Sequence, residues 1–196
     1  MMLYAGHLFY TNTNDWSKFV FLDEVHFNSR DLRKKKVLGP KNDKVFVKTD
    51  TCLSTSFSMS SMVRYDGSMF VSPYRQTNDQ FNARDFIIEA LKSKFILPGD
   101  ILFMDNAAVH TGCETFQVLC LVLEGLNITL RFLPAYSPEL NPIELCFGYV
   151  KNFIRRHRSD LEMDLHGLVS IAFLLLCQKP DTIKSFFKKA IRKWHD

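Results

Sequence analysis

Residues 101–110 read ILFMDNAAVH, and residues 128–158 read ITLRFLPAYSPELNPIELCFGYVKNFIRRHR. The first stretch opens on four apolar residues, Ile101 to Met104, and stops on Asp105. A short unbroken apolar run is the pattern of a buried strand. A carboxylate placed where such a strand leaves the core stands at the lip of a sheet, and in open α/β folds ligands are held there. In the second stretch, Asn141 suits a helix N-cap and Pro142 suits the first turn. Ile143, Phe147, Val150 and Ile154 then recur on one helical face. At about 100° per residue, Glu144, Lys151, Arg155 and Arg158 share a neighbouring stripe. A carboxylate at the helix start thus continues into a row of cations, which suits a metal at one end and a phosphodiester backbone along the rest. Glu144 also stands three residues after Asn141, where a capping glutamate would stand. The helix alone leaves capping and catalysis both open.

Upstream, Phe19-Val20-Phe21-Leu22 is a second apolar run, and it ends on Asp23. The pattern predicts a strand over 18–23. Two strands ending in aspartate and a helix-borne glutamate supply three carboxylates that one fold could bring together. The segments FLDEVHFN, FMDNAAVH and LPAYSPELNPIE, in that order, resemble the catalytic core of mariner-type DDE transposases, over roughly Trp16 to Arg158. Asp-Asn-x-x-x-His by itself is common. The ordered set, closed by Tyr136-Ser137-Pro138 and Asn141-Pro142-Ile143-Glu144, is specific.

The resemblance implies an α/β chain of ribonuclease-H-like fold, a mixed β-sheet flanked by α-helices. It implies two Mg²⁺ or Mn²⁺ ions held by Asp23, Asp105 and Glu144, with Asp23 bridging, Asp105 on one ion and Glu144 on the other. Hard divalent ions take oxygen ligands and keep several waters, so a few carboxylates suffice. The implied reaction is strand cleavage by water at an element's end, followed by transfer of the new 3′-hydroxyl into target DNA. The implied partners are transposon ends and target DNA, with a homodimer by analogy to the synapsis of two ends. Asn106 and His110 belong to the second motif; they orient Asp105, approach the phosphate, or hold the loop by hydrogen bonds. Tyr136 either meets DNA or packs the loop. Glu24 neighbours Asp23, but adjacent strand residues point to opposite faces, so one of the two is expected at the metals, and the family's pattern selects Asp23. Two departures from the family stand out. The helix-turn-helix region that recognises terminal repeats is not seen before the first strand, and Phe147 stands where relatives often carry tryptophan.

Size and composition agree with such a domain. At 196 residues the chain is one domain of ordinary size, and 46% hydrophobic content with 23% charge excludes a disordered chain. A net charge of +4 permits a nucleic-acid partner without requiring one. The clusters say more. Arg33, Lys34, Lys35 and Lys36 form a basic arm before a Gly39-Pro40 turn, either phosphate contacts, an edge strand guarded by cations, or a nuclear-localisation signal. Five cysteines, with no Cys-x-x-Cys, suggest buried free thiols in a reducing compartment rather than disulfides or zinc. No signal peptide or membrane span is evident. The expectation is a nuclear protein if the cell is eukaryotic, a cytoplasmic one otherwise, and not a secreted one.

In chain order, 1–15 reads as an extended lead-in and 16–196 as the catalytic domain with C-terminal helices. His26 follows the first strand; a structural role is the commoner one for a lone histidine there. Strand character returns within Thr49–Val63, Tyr65 to Ser68 is a turn, and a short strand at Phe70-Val71 is expected to stop at Pro73. A helix capped at Thr77 should run through Phe81, Phe86, Ile88, Leu91 and Phe95. A second helix spans Glu114 to Glu124 with Gly125 ending it, then a strand spans Ile128 to Leu133. After the Glu144 helix, one helix starts at Ser159, and a basic last helix is capped by Asp181. Three functions remain in play: a DDE transposase domain, a host-retained DNA-binding protein derived from one, and a nuclease of the same fold acting on RNA in hybrids.

Overall fold

The computed structural model describes residues 16–28, 39, 41, 56–74, 80–105, 114–134, 136–157 and 164–192. Among these residues five strands form one sheet: β1 (Phe19–Asn28), β2 (Ser56–Arg64), β3 (Met69–Tyr74), β4 (Ile101–Met104) and β5 (Thr129–Phe132), in the order β3-β2-β1-β4-β5. β1, β2 and β3 pair antiparallel, whereas β4 and β5 continue the sheet in parallel with β1. The helices are α1 (Gln80–Lys92), α2 (Glu114–Gly125), α3 (Pro142–His157), α4 (Leu165–Cys177) and α5 (Pro180–Arg192).

Side chains alternate across a strand, so the run Phe19-Val20-Phe21-Leu22 feeds two cores. Phe19, Phe21 and Phe103 pack with α3, α4 and α5, through Phe147, Val150, Phe173 and Phe187 among others. Val20, Leu22, Leu102 and Met104 pack on the other face with Phe86 and Ile87 of α1 and Leu119 and Leu123 of α2. An unbroken apolar strand is what a sheet covered on both faces requires. The result is a three-layer mixed α/β fold with the ribonuclease-H-like architecture that the resemblance implies.

Several boundaries differ from the sequence reading. β1 does not stop at Asp23. It runs on to Asn28, because β2 partners it from Val20 opposite Arg64 to Asn28 opposite Ser56. What ends near Asp23 is the pairing with β4, whose last pair is Phe21 with Phe103. Pro73 lies inside β3, an edge strand, where a missing backbone donor is tolerated. Phe95 lies beyond the end of α1 yet still packs into the α1–α2 core. The left-handed turn after α2 falls on Asn127 (φ 57°), not on Gly125. Asp164 caps α4 by accepting from the Gly167 N–H at 2.8 Å, and α4 begins at Leu165; the start expected at Ser159 lies outside the described residues. α5 opens on Pro180, with Asp181 in its first turn. The turn at Tyr65–Ser68 stands as expected. Gly67 is needed there, because its φ is +90° and a Cβ would meet Pro180 at 2.6 Å.

One ion pair is buried at the edge of the sheet where β4 begins. Arg64, the last residue of β2, holds both carboxylate oxygens of Asp100, just before β4. The same guanidinium donates to the carbonyls of Phe95 at 2.8 Å and Ser17 at 3.1 Å, and the Leu97 N–H donates to Asp100 at 2.7 Å. This cluster fixes where β1, β2 and β4 enter the core.

Candidate active site

Asp23 interrupts an otherwise apolar series. On the α3 side of β1 the inward residues are Phe19, Phe21, Asp23, Val25 and Phe27, and the other four are buried. Asp105 follows the last residue of β4. Both aspartates stand two residues beyond the Phe21–Phe103 pair, on neighbouring strands and the same face. Glu144 comes from the first turn of α3, which packs over that face. It does not cap: the Asn141 N–H that a capping glutamate would take donates instead to the Pro138 carbonyl, at 3.1 Å. The Glu144 side chain is exposed and opens onto a cleft of about 530 Å³ whose walls also carry Asp23, Asp105, Glu24, Tyr136 and Asn141.

The acids feel one another. The Asp23 carboxyl is pushed up to about 7, first by burial and then by the charges of Asp105, Glu144 and Glu24, against the lowering effect of the Glu24 backbone N–H. That N–H donates to Asp23 Oδ1 at 2.7 Å, and the Asn141 side-chain amide donates to Oδ2 at 2.8 Å. Burial leads that rise, and the neighbouring carboxylates add to it, an arrangement a cation among them would relieve. The donors are all hard oxygens, the set that suits Mg²⁺ or Mn²⁺. Ser61 pairs with Asp23 across β1 and β2, and its buried hydroxyl has no hydrogen-bond partner among the described residues. The donor chemistry therefore fits a divalent ion. The acids are not clenched, however: among the described residues, no three His, Cys, Asp or Glu side chains stand close enough to grip one.

The other predicted residues divide. Tyr136 is fully exposed at the rim, with its backbone in the left-handed region (φ 58°), so it does not pack the loop. Lys151 lies half-buried with its ammonium 6.0 Å from the centre of the Phe27 ring, and Arg155 donates to the Asn152 side chain at 3.1 Å. His26 is tied to the Ser58 hydroxyl at 3.1 Å, the structural role expected of it. Arg33, Lys34, Lys35, Lys36, Asn106, His110 and Arg158 lie outside the described residues, as does the lead-in 1–15. Of the thiols within them, Cys146 is buried and pushed up to about 12 by that burial, but Cys177 is exposed, against the expectation of buried thiols.

Sequence reasoning missed three features. Glu24 lines the same cleft as Asp23, at a level where β1 has run past its last pair with β4. Ser61 carries no motif. Asn141 reads as a cap, and nothing in its neighbours announces a bond to a residue 118 positions away.

Residues 18–164 match the family described as DDE superfamily endonuclease, and the chain belongs to that family. Its fold is that of the mariner Mos1 transposase catalytic domain, whose crystal structure superposes with a TM-score of 0.66 at 14% identity, covering 97% of this chain and 86% of that one. The Mos1 transposase in its paired-end complex with the left transposon end gives a TM-score of 0.72 at 16% identity, over 96% of this chain and 56% of that one. The chain thus spans little more than half the length of the transposase in that complex. The intasome of simian T-cell lymphotropic virus gives 0.54 at 14% identity, over 80% of this chain and 46% of that one. No curated protein matches the chain by sequence.

Proposed function

We propose that the chain is the catalytic domain of a cut-and-paste DNA transposase. Its reaction is metal-dependent cleavage at transposon ends and transfer of the new 3′-hydroxyl into target DNA. One observation carries this: Asp23, Asp105 and Glu144, two from neighbouring strands and one from the first turn of α3, line a single cleft. Asp23, Asp105 and Glu144 would hold two Mg²⁺ or Mn²⁺ ions. When bound, such ions neutralise charge at phosphorus and lower the pKa of an attacking water. The chain's own residues do the rest. Asp23 offers one lone pair on each oxygen, since each already accepts one hydrogen bond. Tyr136 offers an exposed ring at the rim, where a base or sugar passes. Lys151 and Arg155 continue the stripe from Glu144 and take backbone phosphates. The DNA partners, the dimer and a nuclear location in a eukaryotic cell follow from the same reading.

The test is supercoiled plasmid with Mg²⁺ or Mn²⁺, beside Asp105→Ala. Metal-dependent nicking that falls more than about a hundredfold in the variant supports the enzyme. A second reading is a DNA-binding descendant that no longer cuts. Binding of DNA with no nicking by the wild type in either metal would establish that reading instead.

A further inference from the structure

We propose that Asn141 is the positioning residue of the acid cluster, tying the backbone of Glu144 to the carboxylate of Asp23. This rests on the metal-site reading above. Asn141 is 3% exposed, and all four of its polar groups are engaged. Its N–H donates to the Pro138 carbonyl at 3.1 Å, and its own carbonyl accepts from the Glu144 N–H at 3.2 Å. Its Oδ1 accepts from the Ile143 N–H at 3.3 Å, and its Nδ2 donates to Asp23 Oδ2 at 2.8 Å. The reverse amide orientation would set two oxygens against each other, so the network fixes the assignment. Two consecutive bonds, Asp23 to Asn141 and Asn141 to Glu144, therefore set the start of α3 against the middle of β1.

The residue type discriminates this role from capping. Asp, Ser and Asn cap helices about equally well. An aspartate here would face Asp23 with a like charge. A serine has one short hydroxyl, which can serve the Ile143 N–H but cannot also reach Asp23. Only asparagine both caps α3 and donates to the acid. Groups that hold a metal's ligands in place commonly change its affinity by about 10–100-fold when removed. Asn141 acts through Asp23 and Glu144, so its effect is on where those acids stand.

Two measurements on the full chain test this. The first is Mn²⁺ titration without DNA, followed by water-proton relaxation, on wild type, Asn141→Ser and Asp23→Asn. The expected result is binding by wild type, loss in Asp23→Asn, and affinity about tenfold weaker or worse in Asn141→Ser, with helix content unchanged by circular dichroism. The second is hydrogen exchange of the peptide carrying Ile143 and Glu144 in the metal-free Asn141→Asp variant, which keeps the shape and the cap. The tether requires faster exchange there than in wild type. If Asn141 only caps, Asn141→Asp exchanges like wild type and Asn141→Ser binds Mn²⁺ like wild type, and either result overturns the inference. A wild type that binds no Mn²⁺ sinks the metal-site reading instead, and the exchange measurement still decides the tether.

Discussion

Strand β4 has an acid just before its first residue and another just after its last, and the two ends treat charge in opposite ways. Asp100, fully buried, is matched by the Arg64 guanidinium on both oxygens and by the Leu97 N–H. At the far end, Asp105 faces Asp23, Glu24 and Glu144 across a cleft, and the Asp23 carboxyl rises to about 7. The first cluster is complete within the chain, and it fastens strands. The second sets acid beside acid, and burial together with those neighbouring charges raises the Asp23 carboxyl. A buried charge that finds its partner inside the chain is scaffold. One held among like charges is poised for a partner from outside.

Breaking the complete cluster should produce the largest effect. Asp100→Ala leaves Arg64 buried without its counter-charge and is expected to cost about 3–5 kcal/mol, read by urea denaturation. Replacing both partners, Arg64→Met with Asp100→Leu, should recover part of that, because the orphaned charge is gone while the Phe95 and Ser17 carbonyls and the Leu97 N–H still lose their partners.

At the acid cluster the effect should depend on pH. Asp23→Asn removes an acid that burial disfavours as an anion but also one of the two acceptors that the Glu24 N–H and the Asn141 amide use, so its clearest effect is on how stability varies with pH. The pH dependence follows from the direction of the shift. The folded-state pKa of about 7 lies above the ordinary 3.8. The folded protein therefore holds the proton more tightly than the unfolded chain. Stability from this group is fully present below about pH 4 and is lost as pH rises toward and through 7. Thermal melting of wild type should fall across that window, and Asp23→Asn should flatten the fall.

A smaller effect isolates the field between the acids. Asp105→Asn should lower the Asp23 pKa by a fraction of a unit, measured by carboxyl-carbon NMR titration, since Asp105 contributes less than burial does. An unmoved Asp23 would mean the two aspartates do not sense each other. The smallest effect on stability belongs to Tyr136→Ala. Its side chain touches solvent, so melting should not change, while DNA affinity falls by about 1–3 kcal/mol if the ring stacks on a base.

Most of the layer structure is legible in residue order. Phe19 to Leu22 and Ile101 to Met104 announce strands buried on both faces, and Ile143, Phe147, Val150 and Ile154 announce the covering helix. Boundaries were less legible, because partners set them: β1 extends to Asn28 only because β2 is there to pair with it. In the site, the three acids could be named from their motifs. Glu24 and Ser61 could not, since their roles come from neighbours supplied by other strands.

Sequence by itself determined the strand-ending acids, the helix-opening glutamate and their order, because apolar runs and caps are local patterns written in consecutive residues. Only the tertiary structure decided that Glu144 opens onto the cleft instead of capping, that Asn141 spends its second polar group on Asp23, and that Asp100 meets an arginine while Asp23 stands beside other acids. Those outcomes depend on which groups arrive from distant segments, and Coulomb and hydrogen-bond energies are set by distance in space.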